Sequence, residues 1–135
     1  YGFHEALLIL QEEGLENSWA RHMNNHQALK AGIESMGLNF IVAAEDRLPQ
    51  LNAVTVPEGV DEASVRQKLL KQFNLEIGAG LGSLAGKVWR IGLMGYASNP
   101  ANVMLCLSAL ESVLIESNAP INRGVAVAAA QHEYS

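Results

Sequence analysis

The chain is 135 residues long, which suits one compact domain with a modest core and excludes two full ones. Nine basic and 14 acidic residues leave a net charge of −5 and a sequence pI near 5.3, a balance that argues against a nucleic-acid-reading surface and against docking on an anionic membrane. The composition is 49% hydrophobic and only 17% charged, against ~25% for an average soluble domain, so part of the surface is expected to be covered by something else.

The first element is a short helix from Phe3 to Glu13, with Phe3, Ala6, Leu7 and Leu10 at helical spacing and Gly14 as its stop. A second helix follows, in which Leu15, Trp19, Met23, Leu29, Ile33 and Met36 trace a stripe ended by Gly37, with Trp19 expected to anchor it in the core. Leu38 to Ala43 and Leu51 to Val56 read as strands separated by a polar loop with Pro49. Asp61 is the predicted N-cap of a helix through Phe73 that buries Val65, Leu69 and Phe73. A short strand at Leu75 to Ile77, a glycine-rich loop to Gly86 and a strand from Lys87 to Met94 form a predicted hairpin. Asn99 and Pro100 open the last clear helix, whose stripe is Val103, Leu107, Leu110 and Leu114 and whose stop is Asn118 and Pro120. The tail, Ala119 to Ser135, is expected to lie along the surface as an extended or short helical segment. The predicted class is α/β, as a small α+β domain: a mostly antiparallel sheet with helices on one face, preceded by two helices.

No apolar run reaches the ~20 residues of a membrane span. The first residue is Tyr1 rather than methionine, no signal peptide is legible, and the C-terminal Glu-Tyr-Ser is no peroxisomal address, so a cytoplasmic piece of a larger protein is expected. The single cysteine, Cys106, has no disulfide partner and lies in an apolar stripe, where it reads as core rather than as a nucleophile.

Among chemistry-bearing residues, Gly80-Leu-Gly82-Ser-Leu-Ala85 fits a dinucleotide pattern. That motif works only with a helix N-terminus directly behind it, and here the strand Val88-Trp89-Arg90-Ile91 follows. The P-loop spacing also fails, leaving Gly78, Gly80, Gly82 and Gly86 as a flexible hairpin loop. His22 and His26 lie four apart on the second helix, but no third ligand and no intervening glutamate supports a metal site. They are expected to pack at the helix edge or meet solvent, and no metal is expected. Lys30, Lys68 and Lys71 read as solvated helix faces and Lys87 as a loop edge, none being a candidate Schiff-base lysine.

Arg90 is the most informative residue. Strand alternation puts it with Val88, Gly92 and Met94 on the face opposite Trp89, Ile91 and Leu93. A guanidinium among apolar neighbours needs an anion, which is either Glu76 or another carboxylate across the hairpin, or the carboxylate of a substrate; Gly92 beside it leaves room for a ligand.

The stretches Glu12 to Trp19, Glu76 to Gly82 and Ala85 to Gly95, with Gly86-Lys87-Val88-Trp89-Arg90-Ile91-Gly92 at the centre, resemble class V, fold-type I pyridoxal-phosphate aminotransferases. The alanine-glyoxylate, serine-pyruvate and serine-glyoxylate group is the nearest in pattern, and the resemblance runs from Tyr1 to about Ser117 and again over Gly124 to Ala130. It implies that residues 1–135 are the C-terminal small domain of such an enzyme, with the large domain absent and 119–135 as a tail. It further implies that Arg90 grips the substrate α-carboxylate, that the loop with Gly78, Gly80 and Gly82 borders the active site, and that the small domain closes over bound substrate. Pyridoxal 5'-phosphate would be bound by the large domain, within a homodimer acting on small amino and keto acids. The expected reaction moves an amino group from alanine or serine to glyoxylate or pyruvate. No catalytic residue lies in these 135 positions, and the chain alone is expected to be inactive. Alternatives are another class V enzyme with a different substrate and a non-catalytic module binding an amino acid or a protein. The low charge then predicts an exposed apolar patch along the Phe3 to Met36 helices.

Overall fold

The computed structural model describes residues 1–135. Helices α1 (Gly2–Glu13) and α2 (Leu15–Ser35) are nearly continuous, separated only by Gly14, whose φ of 88° breaks the helical path. They are followed by β1 (Leu51–Thr55), α3 (Glu62–Phe73), β2 (Gly78–Ala79), β3 (Val88–Gly92), α4 (Pro100–Glu116) and α5 (Ala126–Tyr134). The three strands form one antiparallel sheet in the order β1-β3-β2. β1 and β2 thus run parallel to each other, joined by α3, with β3 inserted between them as the central strand.

One side of the sheet and the inner faces of α2, α3, α4 and α5 share a 22-residue apolar core, in which Leu29, Ile33, Val54, Leu69, Trp89, Leu107 and Leu114 are fully buried. Trp89 also satisfies its indole, donating from Nε1 to the Glu62 carbonyl at 3.3 Å. Asn99 caps α4 as predicted, accepting from the Asn102 N–H at 2.9 Å. Asp61 occupies the N-cap of α3 without a side-chain capping bond. Cys106 is buried in the core, which pushes its thiol up to about 12 and keeps it unreactive.

Four expectations need correction. The segment Leu38 to Ala43 is not a strand: it touches the free edge of β1 through one bridge, Phe40 to Val54, and then turns away into a 3-10 turn at Ala44–Asp46. The strand expected at Leu75 to Ile77 lies instead at Gly78–Ala79. Asn74, left-handed at φ 53°, caps α3, and the Leu75 N–H still donates to the Leu69 carbonyl, so these residues are spent leaving the helix.

Trp19 is 61% exposed and anchors nothing. The inward face of the first half of α2 is Ser18, His22, Asn25 and His26, all buried, and it runs on in phase into Leu29 and Ile33. The tail, finally, is no surface appendage: α5 places Ala126 and Ala130 against α2 with no exposure, and the Tyr134 hydroxyl donates to Asn25 Oδ1 at 2.5 Å. The predicted apolar patch is present over Phe3, Leu7, Ile9, Leu15, Trp19 and Met23, and α1 buries no residue at all. It ends there, because Leu29, Ile33 and Met36 are in the core.

Close packing of α2 on α4 and α5 depends on Gly32, where a Cβ would lie 2.4 Å from Leu107 Cδ1 and 3.0 Å from the Ala126 carbonyl oxygen. Gly32→Ala is therefore expected to destabilise the fold by about 1–3 kcal/mol in chemical denaturation. His26, buried at the α2–β1 contact, has its pKa lowered from 6.5 by desolvation; the Asn52 hydrogen bond opposes that shift, while Arg47 and Lys30 add to it. A lowered histidine is stabilising when neutral, so its contribution is present above ~6.5 and is lost as pH falls through that value toward the folded pKa. Melting temperatures of wild type and His26→Asn should accordingly converge on acidification through that window; a constant difference would refute this.

Candidate substrate-binding site

Arg90 occupies the middle of the central strand, in register with Ala53 on one side and Gly78 on the other. The alternation holds: Trp89, Ile91 and Leu93 are buried toward the helices, while Arg90 is half-buried and Gly92 exposed on the opposite side. The Arg90 Nε–H donates to the Ala79 carbonyl at 2.6 Å. This bond lays the side chain along β2, where Nη2 is 3.3 Å from the position that a Cβ on Gly78 would take. None of the five ion pairs of the molecule involves Arg90 or Glu76. Of the two anions considered for Arg90, the internal one is thus not used. The guanidinium is oriented by a backbone carbonyl, which offsets none of its charge, and its fork has no carboxylate within 4.0 Å.

The glycine-rich loop is shaped by close backbone contacts. A Cβ on Gly80 would fall 2.2 Å from the Leu84 carbonyl oxygen, because the 3-10 turn Gly82–Leu84 folds back over it. Gly82, at φ 57°, supplies the left-handed residue that starts this turn. The Gly80 N–H donates to the Val88 carbonyl and the Lys87 N–H to the Leu84 carbonyl, so the loop is a closed turn rather than the flexible one expected. Of the loop glycines, the fold brings Gly78 against Arg90, while Gly80 and Gly82 form the turn beyond it.

A second set of polar side chains holds the turn after β3, and the sequence singled out only His22 among them. Arg21 binds both Glu13 oxygens, at 2.6 and 3.1 Å, and its Nη1 donates to the carbonyls of Gly95 and Ser98 at 2.8 and 2.7 Å. The Glu13 carboxyl is held below its usual range by this guanidinium. The Gly95 N–H donates to His22 Nε2 at 3.0 Å, so His22 carries its proton on Nδ1, which donates to the Ser18 carbonyl at 2.7 Å. Asn25 completes the set, donating to Ser98 Oγ at 3.1 Å. His22 and His26 therefore serve different contacts, and no group of three potential metal-ligating side chains gathers in the molecule.

This joint forms the floor of a cleft of about 1010 Å³ between α1 and the start of α4, bordered by Ile9, Leu10, Tyr96 and Pro100. Every Arg21 nitrogen facing it is already hydrogen-bonded. The signal for Arg21 in the sequence is its charge complementarity to Glu13 across the break at Gly14.

A pyridoxal cofactor needs a buried lysine. Lys30 and Lys68 are paired with Glu34 and Glu116 at 3.8 and 3.4 Å, and Lys71 and Lys87 are exposed. The residues of this chain thus do not fit the cofactor's own seat.

No family model matches the chain. It is 43% identical over 134 residues to the (S)-ureidoglycine–glyoxylate transaminase of Bacillus subtilis (strain 168), covering 99% of this chain and 32% of that protein. To the serine–glyoxylate aminotransferase of Arabidopsis thaliana it is 36% identical over 131 residues, 96% of this chain and 32% of that protein. Among solved structures, the ureidoglycine–glyoxylate aminotransferase of Bacillus subtilis superposes with a TM-score of 0.91 at 44% identity, covering 93% of this chain and 33% of that one. The alanine–glyoxylate aminotransferase of a Nostoc species gives 0.80 at 48% identity, over 82% of this chain and 29% of that one. The chain spans about a third of the length of these relatives. By sequence and by fold the chain is similar to about a third of the length of class V pyridoxal-phosphate aminotransferases, in the group of the glyoxylate aminotransferases.

Proposed function

We propose that this chain is the C-terminal small domain of an aminotransferase that moves an amino group from a small α-amino acid, such as alanine or serine, to glyoxylate or pyruvate. Its contribution is the substrate-carboxylate clamp, Arg90. The observation that carries this reading is the unpaired guanidinium: it is oriented by the Ala79 carbonyl, bordered by Gly78 and Gly92, and has no internal anion. A charged group kept half-buried without a partner is costly, and a planar carboxylate is the ligand its fork fits best. The relatives support the choice of substrate class. Their names pair glyoxylate with ureidoglycine or serine. Arg90 recognises the carboxylate common to α-amino and α-keto acids, so the selection among side chains is assigned to other residues.

In this reading the cofactor, pyridoxal 5'-phosphate, is held by a large domain of the same protein, since none of this chain's lysines is placed to bind it. The loop carrying Gly78, Gly80 and Gly82 borders the active-site mouth beside the clamp. The exposed apolar residues of α1 and the first half of α2 face the large domain or the second subunit of a homodimer.

Arg90→Ala in the full-length protein is expected to lower kcat/KM for amino and keto acids roughly 10- to 100-fold, corresponding to a lost charge-assisted contact of ~1.5–3 kcal/mol, with the cofactor spectrum unchanged. Arg90→Lys, which keeps the charge but not the fork, should recover only part of that loss. Kinetics unaffected by Arg90→Ala would overturn the assignment.

A further inference from the structure

We propose that Asn52, held in place by His26, is a positioning residue for Arg90; this rests on the reading of Arg90 as the carboxylate clamp. Asn52 is 2% exposed and faces the helices from β1, with Val54 of the same strand buried beside it. An apolar side chain would fill that position equally well, and a buried amide costs free energy unless every polar atom is paired. Here every one is. Nδ2 donates to the carbonyls of Pro49 and Ile91, both at 3.3 Å, and Oδ1 accepts from His26 Nδ1–H at 2.7 Å.

The targets of these bonds explain what the amide does. Ile91 follows Arg90 in the central strand and is the register partner of Asn52. Pro49 lies just ahead of β1, so the one amide ties the entry of β1 to the strand that carries the clamp. On its other side β3 has little pairing, because β2 contributes only two residues, Gly78 and Ala79, one of which has no side chain to pack. The clamp's Nε–H bond to the Ala79 carbonyl therefore depends on β3 being held from the β1 side. His26 extends the tie to α2, the longest helix, and its ring packs edge-on against Phe40, with ring centroids 6.3 Å apart. The result is a continuous path from α2 through His26, Asn52 and the Ile91 carbonyl to the residue beside the guanidinium. Sub-ångström placement of a clamp matters because a bidentate contact weakens steeply with misalignment.

Two measurements test this. In the full-length protein, exchange of the Arg90 Nε–H with solvent, followed by NMR and assigned by its loss in Arg90→Lys, reports the bond to Ala79 directly. Asn52→Asp preserves shape and the acceptor for His26 but removes both donors, and is expected to speed that exchange several-fold. His26→Leu should do the same, whereas His26→Asn, which keeps an N–H where Nδ1–H stood, should stay near wild type; this pair decides the matter if Asn52→Asp does not fold.

In the full-length protein, Asn52→Asp is expected to raise KM for both amino and keto substrates about tenfold, with kcat at saturation changed by less than about twofold, the signature of lost uniform binding. Unchanged Nε–H exchange and unchanged KM, with only a lower melting temperature, would show that Asn52 is structural and overturn the proposal. If instead Arg90→Ala itself leaves KM unaltered, the clamp reading fails, while the exchange measurement still judges whether Asn52 positions Arg90.

Discussion

A cation placed in the middle of a three-stranded sheet, with no anion of the protein's own, is the constraint around which the site is organised. An arginine so placed would ordinarily recruit a neighbouring carboxylate, and Glu76 is near in sequence, yet the side chain is held by a carbonyl instead. A carbonyl aims the group without neutralising it. That distinction separates a structural ion pair from a ligand-binding one: the first satisfies its charge on folding, the second keeps it for the ligand.

The surrounding features follow from keeping that fork aimed and open. Gly78 gives the guanidinium room to lie against β2, and Gly92 leaves the next position on the same face unfilled. The closed glycine turn presents the Ala79 carbonyl from a short, well-defined strand. Behind the sheet, polar side chains connect its strands and turns to α2: Asn52 and His26 at the strand that carries Arg90, and Arg21, His22 and Asn25 at the turn that follows it. Fully paired polar networks of this kind define geometry more sharply than apolar packing, because they tolerate few alternative arrangements. α5 closes the arrangement through Tyr134, so the tail is part of the scaffold.

How much of this was legible in the sequence depended on which physical rule governed each element. α4 was legible from end to end because its cap, its proline and its stripe act locally and agree. The face of α2 was misread at Trp19, and the warning lay in the spacing. From Met23 to Leu29 is a step of 29 − 23 = 6, which is not a helical repeat, so the apolar residues on either side belong to different faces. A hydrophobicity stripe could not reveal that the first half of the helix turns polar residues inward, since their burial depends on partners 26 to 109 positions away. The short strands failed for a related reason. Residues 38–43 have strand-like composition but meet the β1 edge at a single bridge, and Gly78–Ala79 have little strand propensity but a free edge of β3 beside them.

The sequence by itself determined the domain's size, its helix boundaries near capping residues, the alternation that sets Arg90 apart from Trp89 and Ile91, and the family pattern around that arginine. These rest on local geometry and composition, which are carried by neighbouring residues. Only the tertiary structure decided whether Arg90 is neutralised or free, which face of α2 is inside, and which distant atoms hold Asn52 and Gly95 in place. Each of those outcomes is a pairing between groups far apart in the chain, and a pairing exists only once the fold has brought both members within hydrogen-bonding distance.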